Sequence, residues 1–126
     1  MIPNKIQELI KAIVEKTNSK KATWGKTARE KEFKLHFEKG AITTDNWDND
    51  GKDMVDFTIY NSFGDQIERY AAFAGEDGFD IMMELHKAAN RDFYKVDETI
   101  SELFNEAKAE KSIGKREIET ENEFPF

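Results

Sequence analysis

The 126-residue chain has no cysteine, two prolines and only two histidines, His36 and His86. Without cysteine there is no disulfide, no thiolate nucleophile and no Cys-based zinc or iron–sulfur site. Two histidines leave little for a His-rich metal centre. No apolar run approaches the roughly 18–20 residues of a membrane span, the longest clusters being short ones such as 70–74. The start, Met1-Ile2-Pro3-Asn4-Lys5, leads into a charged amphipathic stretch rather than the apolar core of a secretory signal. The expectation is therefore a cytoplasmic chain without membrane association. Phosphate-cradling loops are also lacking. The triplet Gly25-Lys26-Thr27 has Lys20 where a P-loop requires its first glycine. None of Ser19, Ser62, Ser101 and Ser112 lies in a Gly-x-Ser-x-Gly elbow.

What the chain does contain is charge and aromatic mass. Charged residues make up 36%, against a usual quarter or so. Aromatic residues make up 12%, ten of them Phe, which is core material that a disordered chain lacks. The net charge of −7 is unevenly spread. Residues 1–39 carry ten Lys or Arg and five Asp or Glu, a balance of +5, whereas residues 40–126 stand at −12. Such a split predicts a dipolar surface. The acidic remainder argues against direct nucleic-acid binding, which needs concentrated Lys and Arg to displace counterions. It favours a partner protein with a basic surface, or an imitation of a nucleic-acid backbone.

Periodicity supplies the fold. Ile6, Leu9, Ile10, Ile13 and Val14 recur at spacings of three and four, predicting a helix over about 3–17. Phe33, Leu35 and Phe37 alternate with polar residues, as do Val55, Phe57 and Ile59, which is the period of half-buried strands. With Ala41 to Trp47 and Gln66 to Phe73, and short turns at 48–51 and 61–65, they predict a four-stranded antiparallel meander. A stripe from Met82 through Leu85, Ala89, Phe93, Val96, Ile100, Leu103 and Ala107 predicts a helix pair over about 79–110, meeting near Tyr94–Asp97. The fold class is α+β, an N-terminal helix, the meander, and the C-terminal helix pair packed on one sheet face. One domain over 1–113 and an acidic tail over 114–126, ending Phe124-Pro125-Phe126, complete the organisation.

Candidate sites are few. Asn46-Trp47-Asp48-Asn49-Asp50-Gly51 resembles the opening of a calcium loop, yet the twelfth position is Phe57 where a bidentate Glu is required. A hairpin turn with solvated acids is the simpler reading. Asp80 and Glu84 share a helix face and could hold a divalent ion or a small ligand, but His86 points about 200° away from Glu84. The basic stretch of Lys16, Lys20, Lys21, Lys26, Arg29, Lys31 and Lys34 interleaves with Trp24 and Phe33 and could touch a phosphate backbone or an acidic partner, but a solvated loop with Trp24 as a core anchor is the simpler reading. The more telling cluster is Trp47 beside Asp45, Asp48, Asp50, Asp53 and Asp56, an aromatic anchor ringed by acids, as in many protein-binding hot spots, with Trp47, Asp48, Asp50, Asp53 and Asp56 as the expected partner-binding residues. No catalytic residue, metal site or cofactor loop emerges, and the chain reads as a non-enzymatic interaction module.

The layout resembles a broad group of small uncharacterised bacterial proteins, many from accessory or mobile-element regions. The resemblance rests on Trp24-Gly25-Lys26-Thr27 and on Arg91-Asp92-Phe93-Tyr94-Lys95-Val96-Asp97-Glu98-Thr99-Ile100, within residues 3–107. It implies a bacterial or phage setting and a compact α+β fold. It implies no catalytic residues. The functional expectation is an immunity, defence-accessory or inhibitor-type protein that binds through its acidic face, with a small-ligand or divalent-metal module as the alternative.

Overall fold

Pro3 opens the first helix, where its missing N–H costs nothing, and its carbonyl accepts the N–H groups of Ile6 and Gln7 at 3.0 Å. This helix, α1, spans Asn4–Asn18. It closes with Lys20 in the left-handed region, φ 66°, while the Lys21 N–H reaches back to the Lys16 carbonyl and the Lys20 N–H to that of Thr17. That is a Schellman closure made without glycine. The computed structural model describes residues 2–115. The expected tail falls almost wholly outside this range, Phe124 and Phe126 included. The chain divides into two compact units, residues 1–96 and residues 97 onward.

Five strands form one antiparallel sheet in chain order: β1 Gly25–Lys26, β2 Phe33–Phe37, β3 Gly40–Asn49, β4 Lys52–Asn61 and β5 Gln66–Phe73. The meander is thus as expected except for β1, an added edge strand of two residues. Two residues are too few to show a period. Instead β1 is held by its neighbours. Trp24 is buried, its indole N–H donates to Thr17 Oγ1 at 3.0 Å, and its backbone N–H donates to Asp92 Oδ2 at 3.0 Å. The Trp-x-Lys-Thr segment is completed by Lys26 Nζ donating to the Arg29 carbonyl and by Thr27 Oγ1 bonding Glu32 Oε1. Each of its three side chains has a structural task.

The β3–β4 turn settles the calcium-loop question. Asp50 and Gly51 both have positive φ, 58° and 86°, which is the two-residue type I′ turn that matches strand twist. Asn49 pairs with Lys52 directly across it, leaving no loop long enough to wrap an ion. The same turn sets the register of the whole hairpin.

Period two gives the sheet two unlike faces. One carries Phe33, Leu35, Ile42, Val55, Phe57 and Ala72, all buried in a core shared with Ile10, Ile13 and Val14 of α1. Helix α2, Phe79–Phe93, adds Met82, Leu85 and Ala89 to that core. Full burial of a side chain such as Phe57 contributes about 1.5–3 kcal/mol. The cover of the sheet is therefore α1 with α2. A turn at Tyr94–Lys95, with Lys95 at φ 53°, ends α2 where the sequence placed the junction. Beyond it α3, Val96–Lys108, has no buried residue. Its Ile100, Leu103 and Phe104 are all more than half exposed, so the apolar stripe that predicted a packed helix pair is buried only along α2. Among the described residues no helix is long and apolar enough to cross a membrane.

Candidate functional site

The second sheet face lies opposite both helices of the first unit. Alternation places Thr43, Asp45 and Trp47 of β3 there, beside Asp56, Thr58 and Tyr60 of β4. Arg69 of β5 joins them because it pairs with Thr58. The 27–32 segment borders one end, and the result is a cleft of about 750 Å³. Five acidic and three basic side chains line it.

Its floor is electrostatically unusual. Asp45 and Asp56 are direct cross-strand partners, an arrangement in which like charges destabilise a sheet, and both are buried, at 7% and 5% exposure. The arrangement is held by donors. The Asp45 backbone N–H donates to Asp56 Oδ1 at 3.0 Å, and the Asn46 N–H donates to Asp45 Oδ1 at 2.8 Å. Arg69 donates from Nε to Asp56 Oδ2 at 3.2 Å, with Nη2 at 3.1 Å from the same oxygen. Arg29 Nε stands 3.6 Å from Asp45 Oδ2. Even so, burial outweighs these partners and pushes the Asp56 carboxyl from its ordinary 3.8 up to about 6. The Arg69 guanidinium also lies 5.9 Å from the centre of the Trp47 ring, within cation–π range. Nearby, the buried hydroxyl of Thr43 has no hydrogen-bond partner among the described residues.

Of the residues singled out from sequence, Trp47 and Asp56 come together in this cleft, with Asp48 exposed at its rim. Asp50 is exposed at the hairpin tip. Asp53 belongs to the other face, where its Oδ1 accepts the Asn46 side-chain amide at 2.7 Å. Sequence reasoning missed Arg69, although it is the single Lys or Arg between Lys52 and Lys87. A lone cation within an acidic stretch was the available signal.

The other candidate set is dispersed. Asp80 and Glu84 are exposed on α2, whereas His86 is buried. Its Nε2–H donates to the Lys31 carbonyl at 2.8 Å and its ring lies 5.3 Å from that of Phe33. Burial holds the His86 imidazole below its ordinary 6.5. His86 thus anchors the 27–32 segment to α2, and among the described residues no group of three potential ligands is assembled for a metal.

Comparisons with protein-family models, with curated proteins and with solved structures find no match to this chain.

Proposed function

We propose that the protein is a non-catalytic interaction module that binds a partner protein through its acidic face, taking a basic side chain of that partner into the cleft between Trp47 and Asp56. The observation that carries this reading is the pair of buried carboxyls, Asp45 and Asp56, beside an aromatic wall. The chain's own Arg69 already lies against both Asp56 and Trp47, so a flat cation is the chemistry this cleft accommodates. Exposed Asp48 and Asp50, with Asp53 directly across the hairpin from Asp48, extend the negative surface outward, where it steers a basic partner and raises its association rate. In the bacterial or phage setting implied by the sequence resemblance, such a module serves as an immunity protein, a defence accessory or an inhibitor.

An arginine-rich peptide is the first probe, titrated onto the intact chain. Binding is expected to weaken with salt and to fall with Trp47→Ala or with Asp48→Lys and Asp50→Lys combined. A cation at Asp56 favours the ionised carboxyl, so affinity should rise with pH, by up to about tenfold per pH unit below about 6. Affinity that ignores both pH and these substitutions would sink the reading, as would unchanged recovery of a host partner by the same variants. A small cationic ligand in the cleft is the second reading, favoured by a volume within the roughly 300–1,000 Å³ of ligand pockets. A thermal-shift screen with divalent ions, nucleotides and small amines separates the two. A specific ligand at about one hundred times its dissociation constant adds about 2.7 kcal/mol of stability.

A further inference from the structure

The first unit carries a second surface of opposite character, at the outer edge of β2. Strand β1 pairs with β2 only at Phe33 and Lys34, so no strand among the described residues covers the outer edge of Leu35–Phe37. Main-chain groups there remain available for another chain to pair with. Alongside this edge runs a cleft of about 360 Å³, with Leu9, Ala12 and Ile13 of α1 on one wall and Leu35 and Phe37 on the other. A smaller hollow of about 210 Å³ shares Leu9 and Phe37 with it. Leu9 is 36% exposed and Phe37 46% exposed, an apolar strip left open to solvent. Charge is one-sided: Lys16, Lys21 and Lys39 line these two hollows and, among the described residues, no carboxylate does.

We propose that this groove binds an extended, acidic segment of a partner protein whose alternate side chains are apolar, added as a short strand to the free edge of β2. Each feature selects part of that ligand. The open edge calls for a polypeptide main chain, because a peptide backbone supplies the donors and acceptors that continue a ladder. Strand alternation then sends every second side chain toward the α1 wall, where the exposed Leu9 and Phe37 provide apolar contact. The three lysines favour glutamate or aspartate at the remaining positions and select against a basic segment. This surface is independent of the Trp47–Asp56 cleft, and its ligand has the opposite charge.

The test is a titration of the intact chain with the synthetic peptide acetyl-Glu-Ile-Glu-Phe-Glu-Ile-amide, followed by ¹⁵N NMR and amide exchange. The expected result is saturable binding that shifts the amides of Leu35, His36 and Phe37 and slows exchange along that edge. Affinity should weaken as salt is raised on the unaltered protein, and should drop by about tenfold in Lys16→Glu with Lys21→Glu, two reversals on exposed positions. Trp47→Ala should leave it unchanged. The proposal is overturned by an absence of saturable binding, by shifts centred on Trp47 and Asp56 instead of Leu35–Phe37, or by equal affinity for the analogue with lysine at each glutamate.

Discussion

Replacing Asp56 with asparagine should make the protein more stable at neutral pH, although it removes an ion pair. The amide would keep the shape of the side chain and still present an oxygen to the Asp45 backbone N–H, which Asp56 Oδ1 accepts at 3.0 Å. What disappears is a charge that burial penalises more than Arg69 compensates. The folded carboxyl titrates at about 6 and the unfolded one near 3.8. Between those values the folded state holds a proton that the unfolded state has released, so stability from this group falls as pH rises through the window. Above about pH 6 the whole cost is present. At about 1.36 kcal/mol per pH unit the difference corresponds to about 3 kcal/mol as a ceiling. The loss of Arg69 as a partner moderates it little, because that side chain is 44% exposed and water can receive its charge. Urea unfolding is the suitable assay, since an uncharged denaturant does not screen the pair. Trp24 and Trp47 both report on the first unit. Asp56→Asn should exceed the parent by about 1–3 kcal/mol at about pH 8, and the gap should close by about pH 4. A variant less stable than the parent at about pH 8, or a gap independent of pH, would refute the reasoning. Either result would make Asp56 a structural acceptor rather than a strained buried charge.

Two further substitutions probe the frame that holds the cleft. His86→Phe keeps ring packing on Phe33 but withdraws the donor from the Lys31 carbonyl, and should cost about 1 kcal/mol at about pH 7.5. His86 is held below its ordinary 6.5 by burial, so the parent loses stability as pH falls below 6.5 and the deficit of the variant should narrow there; a constant deficit in urea titrations would contradict the burial argument. Gly40→Ala would direct a Cβ against the Tyr60 carbonyl oxygen at the start of the β3–β4 ladder, whereas a Cβ at Gly25 meets nothing nearer than 3.9 Å. Thermal melts should show Gly40→Ala destabilised by about 1–3 kcal/mol and Gly25→Ala within about 0.5 kcal/mol of the parent; equal effects would refute the clash.

Most of the architecture was written in local periodicity. Strands β2 and β4 alternate visibly because one face of each meets a core, and α1 and α2 repeat at three and four for the same reason, whereas β3 and β5 show no such alternation and were marked by the turns that bound them. Elements whose existence depends on distant partners were not legible. Strand β1 is two residues long and owes its place to Trp24, which is tied to Thr17 on α1 and Asp92 on α2. The stripe continuing into α3 shows the converse limit. An apolar face at helical spacing establishes that a helix forms, but Ile100, Leu103 and Phe104 remain exposed, so the pattern does not establish what, if anything, the helix covers.

The candidate cleft depends on register, which a strand pattern alone leaves open, because a slip of one residue exchanges the two faces. The positive φ of Asp50 and Gly51 centres the turn and thereby brings Asp45 opposite Asp56. The sequence 48–51 announced a turn but not its centre. Arg69 required one more step: the β4–β5 register shifts between Ile59 and Tyr60, and no residue there signals the irregularity. Trp47 and Asp56 could thus be named from sequence as members of an acidic cluster, while the features that give the cluster its chemistry could not. Burial of two facing carboxyls, and the Arg69 guanidinium set against Asp56, arise only when three strands align. A charge run along the chain reads as a solvated face until pairing shows that two of its members share one small, poorly hydrated floor. That desolvation, more than the number of acids, is what gives Asp56 its raised pKa and the cleft its fitness for a cation.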